Sequence, residues 1–468
     1  MMFRRNARVL YALGALVPIA ASAQTKAPQQ VVKPPVAQLW VDVATSTMPG
    51  MPDMSGMPGM GALGGMLGMP GGAGNNAFGN TRGMSPGRWV DIALVTQRKP
   101  AGTDGTQTVP AASSLAPSVA LVPVPLERGT PRGETTEREP QEFEQPKGRI
   151  LFYWGCSETV KPGQPRVLDF SRSGPQEWGN FMQGRAPRER GAVARPGHAI
   201  WPNDKDRRTP ARDASLVGEH EVTGEGVPAG MKFAIAQSHD FMPAIALSQS
   251  GATNGVLRLS WQPIAQARGY FLNAMSGGQG VDGAQELVFW SSAEVPDFGM
   301  GLIDFASPGN VDQWTKERVL LTPSVTQCAI PQGIFAKPGG GMLRMIAYGP
   351  ELNLAHPPRP ADVKVPWEPE WAVRVRTKST AMAMLGQPTE ARGSARASRG
   401  AVAPTATARS AGGEARPDCP PASSSADAAS SIGGALGGSV GRAVGGFLGG
   451  LGGAKKEEKK DAAADCPR

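Results

Sequence analysis

The sequence predicts an all-β protein built from two β-rich, sandwich-like units. Short runs rich in β-branched and aromatic residues alternate between apolar and polar character. Glycine or proline interrupts the chain between nearly all of these runs, and the region between them has no sustained helical period. Because successive side chains of a strand point to opposite faces, such runs are expected to pack as sheets around apolar cores.

Composition limits how much of the chain can fold. The 468 residues include 61 glycines and 44 prolines, which concentrate in low-complexity stretches. The net charge of +8 is modest, and the arginine runs lie among acidic residues. We interpret those runs as solvated loops and expect no nucleic-acid partner.

The first residues predict export. Arg4, Arg5 and Arg8 precede an apolar run over residues 9–21, and Ala21-Ser22-Ala23 has the small-residue pattern of a cleavage site. The apolar run is too short to anchor the chain in a bilayer. The mature protein is therefore expected in the periplasm, at the outer membrane or outside the cell.

The chain divides into segments of contrasting composition. The predicted divisions are a signal peptide at 1–23, a polar leader at 24–36, a β-rich domain at 37–247 with a Met/Gly-rich insertion at 48–87, a second β-rich unit at 248–360, an edge-strand extension at 361–376, a disordered linker at 377–430, a glycine-rich segment at 431–454 and a charged tail at 455–468.

Two runs in the first unit share the tripeptide Trp-Val-Asp. Residues 39–44 and 88–94 both read as strands that could be neighbours in a sheet, separated by the insertion. Further strands of this unit are predicted at 118–124, 149–154, 166–170, 231–236 and 242–247.

The second unit carries a more specific pattern. An alternating run ends in Trp261, a turn follows at Gln262-Pro263, and Gly269-Tyr270 opens the next run. This order resembles fibronectin type III and related immunoglobulin-like domains over residues 248–360, and the resemblance implies a two-sheet sandwich. Trp261 is then expected to be the largest side chain of the core. Further strands are predicted at 285–291, 326–331 and 341–349.

The four cysteines predict disulfides, because an even number in an exported chain favours pairing. Their positions suggest Cys156 with Cys328 and Cys419 with Cys466, and free buried thiols are the alternative.

A methionine run begins the insertion. Met48, Met51, Met54, Met57 and Met60 recur at every third residue. Thioethers are soft ligands suited to Cu(I) or Ag(I), and exported copper-handling proteins have runs that look like this one, although with interspersed histidines. The other interpretation is an adaptable apolar loop that contacts protein or lipid. No other cofactor is expected.

The tail contains a four-residue repeat. If helical, it would present a smooth stripe that resembles the glycine zippers of bacterial envelope proteins and would support membrane association or self-association, whereas a flexible linker is the alternative. The glycines of this stripe are Gly433, Gly437, Gly441, Gly445, Gly449 and Gly453.

Catalytic motifs are not convincing. Residues 83–87 match the G-x-S-x-G pattern and 278–283 match G-x-G-x-x-G, but neither lies between a strand and a helix. The sequence therefore predicts an exported, non-enzymatic protein with a structural, adhesive or partner-binding role, whose partner is another protein or an envelope surface. The alternatives are a periplasmic Cu(I)- or Ag(I)-binding protein and a hydrolase whose site is assembled across loops.

Overall fold

The computed structural model describes residues 30–50, 76–125, 148–187, 191–280, 283–337 and 341–387. Strands dominate these residues, which confirms the all-β prediction. Two short helices also occur within them, α1 (Pro175–Phe181) and α2 (Pro308–Lys316). The strands β1 to β16, in chain order, are Ala37–Thr47, Gly87–Thr96, Gly105–Thr108, Ser118–Pro123, Arg149–Trp154, Arg166–Asp169, Ala199–Trp201, Gly218–Gly224, Met231–Ile235, Leu247–Ser250, Leu257–Trp261, Gly269–Gln279, Gln285–Ser291, Gln327–Ile330, Gly341–His356 and Trp371–Met384.

Thirteen of these strands form one mixed sheet, in the order β6-β5-β13-β12-β15-β16-β1-β2-β7-β4-β3-β8-β9. The pairs β1–β16 and β5–β13 are parallel, and the other neighbours are antiparallel. Strands β10, β11 and β14 form a separate small sheet. The large sheet draws strands from both sides of residue 247, where the sequence predicted a domain boundary.

The two Trp-Val-Asp strands are neighbours, as predicted. Strand β1 pairs with β2 in antiparallel register, and Asp42 lies directly opposite Asp91. The opposite face of both strands carries Val41, Val43 and Ile92, which are buried in an apolar core. Strand alternation therefore places two carboxylates on one face of the sheet and aliphatic side chains on the other.

The small sheet covers one face of the strands β12 and β15. Its strand β11 turns Trp261 inward, where the side chain is 4% exposed and its ring lies 5.5 Å from that of Tyr270 on β12. The predicted burial of Trp261 is thus confirmed, while the resemblance to fibronectin type III stays a prediction. On the other face of β12, Phe271 packs in a cluster with Val311 and Trp314 of α2.

The helices α1 and α2, which have seven and nine residues, were not predicted. Each begins at a proline, a residue suited to the first helical turn. Two turns are too short to display a helical period in the sequence. Strands β3, β7 and β8 were also not predicted, and the run 242–247 joins a strand only at Leu247.

The prediction of an edge strand at 361–376 is wrong. Strand β16 lies in the middle of the large sheet, between β15 and β1, and it continues to Met384 through the first residues of the predicted linker. Its arginines do not protect an edge, because each meets a carboxylate of a neighbouring strand. Arg374 pairs with Glu351, and Arg376 pairs with Asp42.

Several predicted features lie outside the described residues. They are the signal peptide, the methionines of the run after Met48, the pair Cys419 and Cys466, and the glycine-rich tail. The end of the insertion does belong to the fold, since residues 76–86 pack on β2 and bury Asn76 and Thr81. No helix among the described residues combines the length and apolarity needed to cross a membrane.

Candidate functional site

A cluster of charged side chains lies on one face of the sheet at β1, β2, β15 and β16, around the ring of Phe305. We call it the Phe305 cluster. Phe305 is 2% exposed, and three cations lie within 6 Å of its ring centroid, those of Arg376, Lys378 and Arg82. The charged members of the cluster are Asp42, Asp91, Asp304, Arg82, Arg344, Arg376 and Lys378.

Strand geometry brings these residues together. Arg376 and Lys378 are two positions apart on β16 and therefore share a face. Register places Asp42 of β1 beside Arg376, and Tyr348 of β15 beside Lys378. The 3-10 turn at Asn80–Arg82 contributes Arg82 from above the sheet, and the segment after Ile303 contributes Asp304.

Asp42 is the anionic centre of the cluster. Its fully buried carboxylate accepts hydrogen bonds from Arg376 through Nε (2.8 Å) and a terminal nitrogen (2.7 Å). Arg82 donates a third bond at 2.9 Å, and the backbone amide of Ala192 donates a fourth at 3.2 Å. A side chain at Gly191 would overlap the Arg376 guanidinium, so the close approach of this segment requires glycine.

Asp91 lies beside Asp42 in a less charged environment. Its carboxylate accepts hydrogen bonds from the Gly79 amide (2.9 Å) and from the Thr81 hydroxyl. Burial raises the pKa of Asp91 to about 6, against the opposing effect of these hydrogen bonds. The Asp91 carboxylate therefore gains a proton when the pH falls slightly below neutral.

Lys378 is the least compensated cation of the cluster. Its side chain is fully buried, its Nζ lies 3.8 Å from Asp304 Oδ1 and 4.4 Å from the Phe305 centroid. Nζ has no hydrogen-bond partner among the described residues. Burial lowers the pKa of Lys378 to about 7, although Asp304 opposes that shift.

The outer end of the cluster connects the covering loops. Arg82 donates from Nε to both oxygens of Asp304, at 3.1 and 2.9 Å, and from a terminal nitrogen to the Ala192 carbonyl at 3.0 Å. The side chains of Arg82 and Asp304 are 29% and 37% exposed, whereas that of Lys378 is fully buried. The arrangement fastens three loop segments to the sheet and keeps the Lys378 amine from solvent.

Metal-binding groups of the usual kinds are absent from the described ranges, which contain no group of three or more His, Cys, Asp or Glu side chains that could hold an ion. Of the predicted methionine ligands, only Met48 lies within these ranges. It lines a small depression with three methionines that the sequence analysis did not single out, Met342, Met382 and Met384.

Cys156 and Cys328 form a disulfide, one of the two predicted pairings. It ties the end of β5 in the large sheet to β14 in the small sheet. Disulfides persist in oxidising compartments, so this bond is compatible with an exported protein.

His220 and Ser85 make structural contacts within the described residues. His220 is buried in β8, where its Nε2 donates to the Leu216 carbonyl, its Nδ1 accepts from Gln107 Nε2, and its ring stacks on Phe233. Burial lowers its pKa. Ser85 of the G-x-S-x-G match lies in the loop before β2, where its carbonyl accepts a hydrogen bond from the Trp89 indole. The G-x-G-x-x-G match falls between the paired strands β12 and β13.

An exposed apolar surface lies at the end of the sheet where β1 and β16 begin. Two segments, residues 30–35 and 357–367, hydrogen-bond to each other there, through Lys33 N to the Trp367 carbonyl (2.9 Å) and Trp367 N to the Val31 carbonyl (2.8 Å). Seven large hydrophobic residues are exposed among the described residues, and four of them lie on these segments. We call this surface the valine ledge; its members are Val31, Val32, Val363 and Val365, which are 46–61% exposed.

Sequence reasoning missed the Phe305 cluster because its members are far apart in the chain. A signal was present in the alternation of Arg374, Arg376 and Lys378 along one run, which marks a polar strand face. The sequence could not show that the carboxylate paired with Arg376 is that of Asp42, which follows Val41 and lies 334 positions earlier. Comparison of the chain with protein-family models and with curated proteins finds no match.

Proposed function

We propose that this is an exported, non-enzymatic protein that binds a protein partner through the valine ledge. The proposal rests on one observation, the concentration of exposed apolar side chains on two ordered segments. Isolated surface hydrophobics are ordinary, but a contiguous group is characteristic of interaction sites.

The ledge is held in a defined shape, which favours binding. Gln30 donates from Nε2 to the Val365 carbonyl at 2.8 Å and accepts from Arg359 Nε at 2.6 Å. The Arg359 guanidinium lies 5.6 Å from the Trp367 ring centroid. A surface ordered before binding loses less conformational entropy when the partner arrives.

Charges around the valines favour a protein over a lipid surface. Lys33, Lys364 and Asp362 lie on the same two segments, and Lys33 pairs at 2.7 Å with Glu368, the residue that follows them. Such a rim has both signs, as protein interfaces do, whereas surfaces that bind anionic membranes are dominated by lysine and arginine. The enclosed position of Lys378 further supports a role without catalysis, because a substrate would need to reach its amine.

The test is site-specific photo-crosslinking in the native cell, with a diazirine amino acid at Val363 and, as a control, at Val167. Val167 is 53% exposed but lies on the edge strand β6, far along the sheet from the ledge. We expect a discrete protein adduct from position 363 alone, and its loss when Val31→Asp and Val365→Asp are added.

Those aspartates should leave the melting temperature unchanged, because the replaced side chains are exposed. Identical adducts from positions 363 and 167, or none from 363, would contradict the proposal. Adducts only to lipid would show instead that the ledge contacts a membrane, and this would also contradict it.

A further inference from the structure

We propose that Met48, Met342, Met382 and Met384 form a binding site for one monovalent soft metal ion, Cu(I) or Ag(I). We call these four residues the methionine patch. They line one depression, and three of them come from strands more than 290 residues after Met48. The inference goes beyond the proposed partner binding and rests on different residues.

Strand register places the thioethers on one face. Met342 of β15 lies directly opposite Met384 of β16, and Met382 lies two residues away on β16. Ser46 of β1 contacts Thr380 side chain to side chain at 2.9 Å, so the two strands present the same face, and Met48 follows two residues after Ser46. Directly opposed Cβ atoms in a sheet are about 4.5–5.5 Å apart, within the span that flexible methionines need to converge on one ion.

The size of the depression fits an ion. Its volume is about 40 Å³, whereas organic ligands occupy sites of roughly 300–1,000 Å³. A space of about 10–15 Å³ already accepts one water-sized particle. The depression is therefore large enough for a single ion and far smaller than the sites that hold organic ligands.

The chemistry of the lining selects the ion. Thioethers are neutral and soft, so they suit Cu(I) and Ag(I) and are poor ligands for Zn²⁺, Mg²⁺ or Ca²⁺. The lining contains no carboxylate that would compensate a divalent charge. The nearest strand cation, Arg344, lies opposite Met382, but its guanidinium points to the Ile303 carbonyl at 3.4 Å, toward the Phe305 cluster.

The experiment must separate the methionine patch from the methionine run of the insertion. The starting protein is the full chain with Met51, Met54, Met57, Met60, Met66 and Met69 changed to Leu, which leaves the patch intact. Copper(I) is titrated under reducing, anaerobic conditions against the competing chelator bicinchoninate. We expect one equivalent of metal to bind, and the further changes Met342→Leu and Met384→Leu to weaken that binding at least tenfold.

The matched control adds Met231→Leu and Met345→Leu to the same starting protein. Both side chains are fully buried elsewhere in the sheet, so this control should bind metal unchanged. Methionine-to-leucine changes conserve volume and cost little stability. Methyl NMR of the ¹³C-methionine-labelled starting protein is the second measurement. Addition of Ag(I) should shift the signals of the four patch methyls and leave those of Met231 and Met345 unchanged.

Absence of binding in the starting protein would overturn the proposal. So would binding that survives the two patch substitutions, or methyl shifts confined to residues outside the patch. Equal affinity for Zn²⁺ would also overturn it, because four neutral thioethers without an anionic ligand bind a divalent ion only weakly.

Discussion

Arg376 donates two hydrogen bonds to Asp42 across the parallel pair of strands at the centre of the sheet. The guanidinium is 4% exposed and the carboxylate is fully buried. Burial removes the hydrating water from both charged groups. The two parallel hydrogen bonds between them, together with those that Arg82 and the Ala192 amide donate to Asp42, compensate for that loss. The pair is therefore sensitive to the removal of either partner.

We expect Asp42→Asn to lower the free energy of unfolding by about 3–5 kcal/mol, because Arg376 and Arg82 are left without their shared acceptor. Urea unfolding of the full chain measures the loss. The double variant Asp42→Asn, Arg376→Met should lose less free energy of unfolding than the two single variants lose in sum. The control is Glu158→Gln in the exposed pair with Arg258, expected to cost less than about 1 kcal/mol. Equal losses at the two pairs would contradict the buried-pair interpretation.

Lys378 should make the protein more stable as pH rises above neutral. Its pKa is lowered from 10.5 to about 7 in the folded state, so between these values the unfolded chain binds the extra proton and the folded chain does not. The free energy of unfolding then rises with pH across this window, by up to about 1.4 kcal/mol per pH unit from this group.

Lys378→Met should remove that slope and should stabilise the protein at pH 7. The measurement is the difference between wild type and variant in urea unfolding from pH 7 to pH 10, in which the titration of other groups cancels. Lys232→Met, which changes an exposed lysine, is the control and should leave the slope intact. A wild-type slope that persists in Lys378→Met would show that another group is responsible.

The disulfide should stabilise the contact between the two sheets. Because Cys156 and Cys328 are 172 positions apart, their bond restricts a long loop of the unfolded chain. Replacing both with Ser should cost about 2–4 kcal/mol. A chain with Cys419→Ser and Cys466→Ser is the matched control: reductant should lower its melting temperature, but should not lower that of the Cys156→Ser, Cys328→Ser chain. The same shift in both chains would contradict this assignment.

Removing the Trp261 side chain should weaken the packing of the small sheet on β12. Truncation to Ala removes its contact with Tyr270 and leaves a cavity between the sheets, so we expect a loss of about 3–5 kcal/mol in thermal or urea unfolding. Trp261→Phe retains a ring and should cost distinctly less. Wild-type stability in Trp261→Ala would show that the small sheet does not pack on β12 as described.

The sequence predicted those features that local pattern determines. The run 285–291 matches β13 residue for residue, and the shared Trp-Val-Asp tripeptide suggested that β1 and β2 could be neighbours, which they are. Alternation alone identified Trp261 as a core side chain. In each of these cases the relevant residues lie within one strand or in a pair with the same pattern.

Features that depend on distant residues could not be predicted. Asp42 and Arg376 are 334 positions apart. When the partner carboxylate is not known, the strand that carries Arg374 and Arg376 has the composition of a solvent-facing edge strand. The valine ledge escaped notice for the opposite reason, because Val31 and Val363 lie in proline-rich segments that resemble loops. The methionine patch could not be predicted because Met342, Met382 and Met384 are single residues on β15 and β16, which only the strand register brings near Met48.

The parallel pairing of β1 with β16 has a consequence for how the protein is made. Translation completes β1 near the start of the described chain and β16 at its end, so a growing polypeptide shorter than residue 384 lacks the strand that joins its two halves. Until β16 has been made and has paired, β1 and β15 each present an unpaired margin that could pair with other chains. The centre of the sheet therefore closes last, and a stop codon directly before Trp371 would remove the strand that joins the two halves of the sheet.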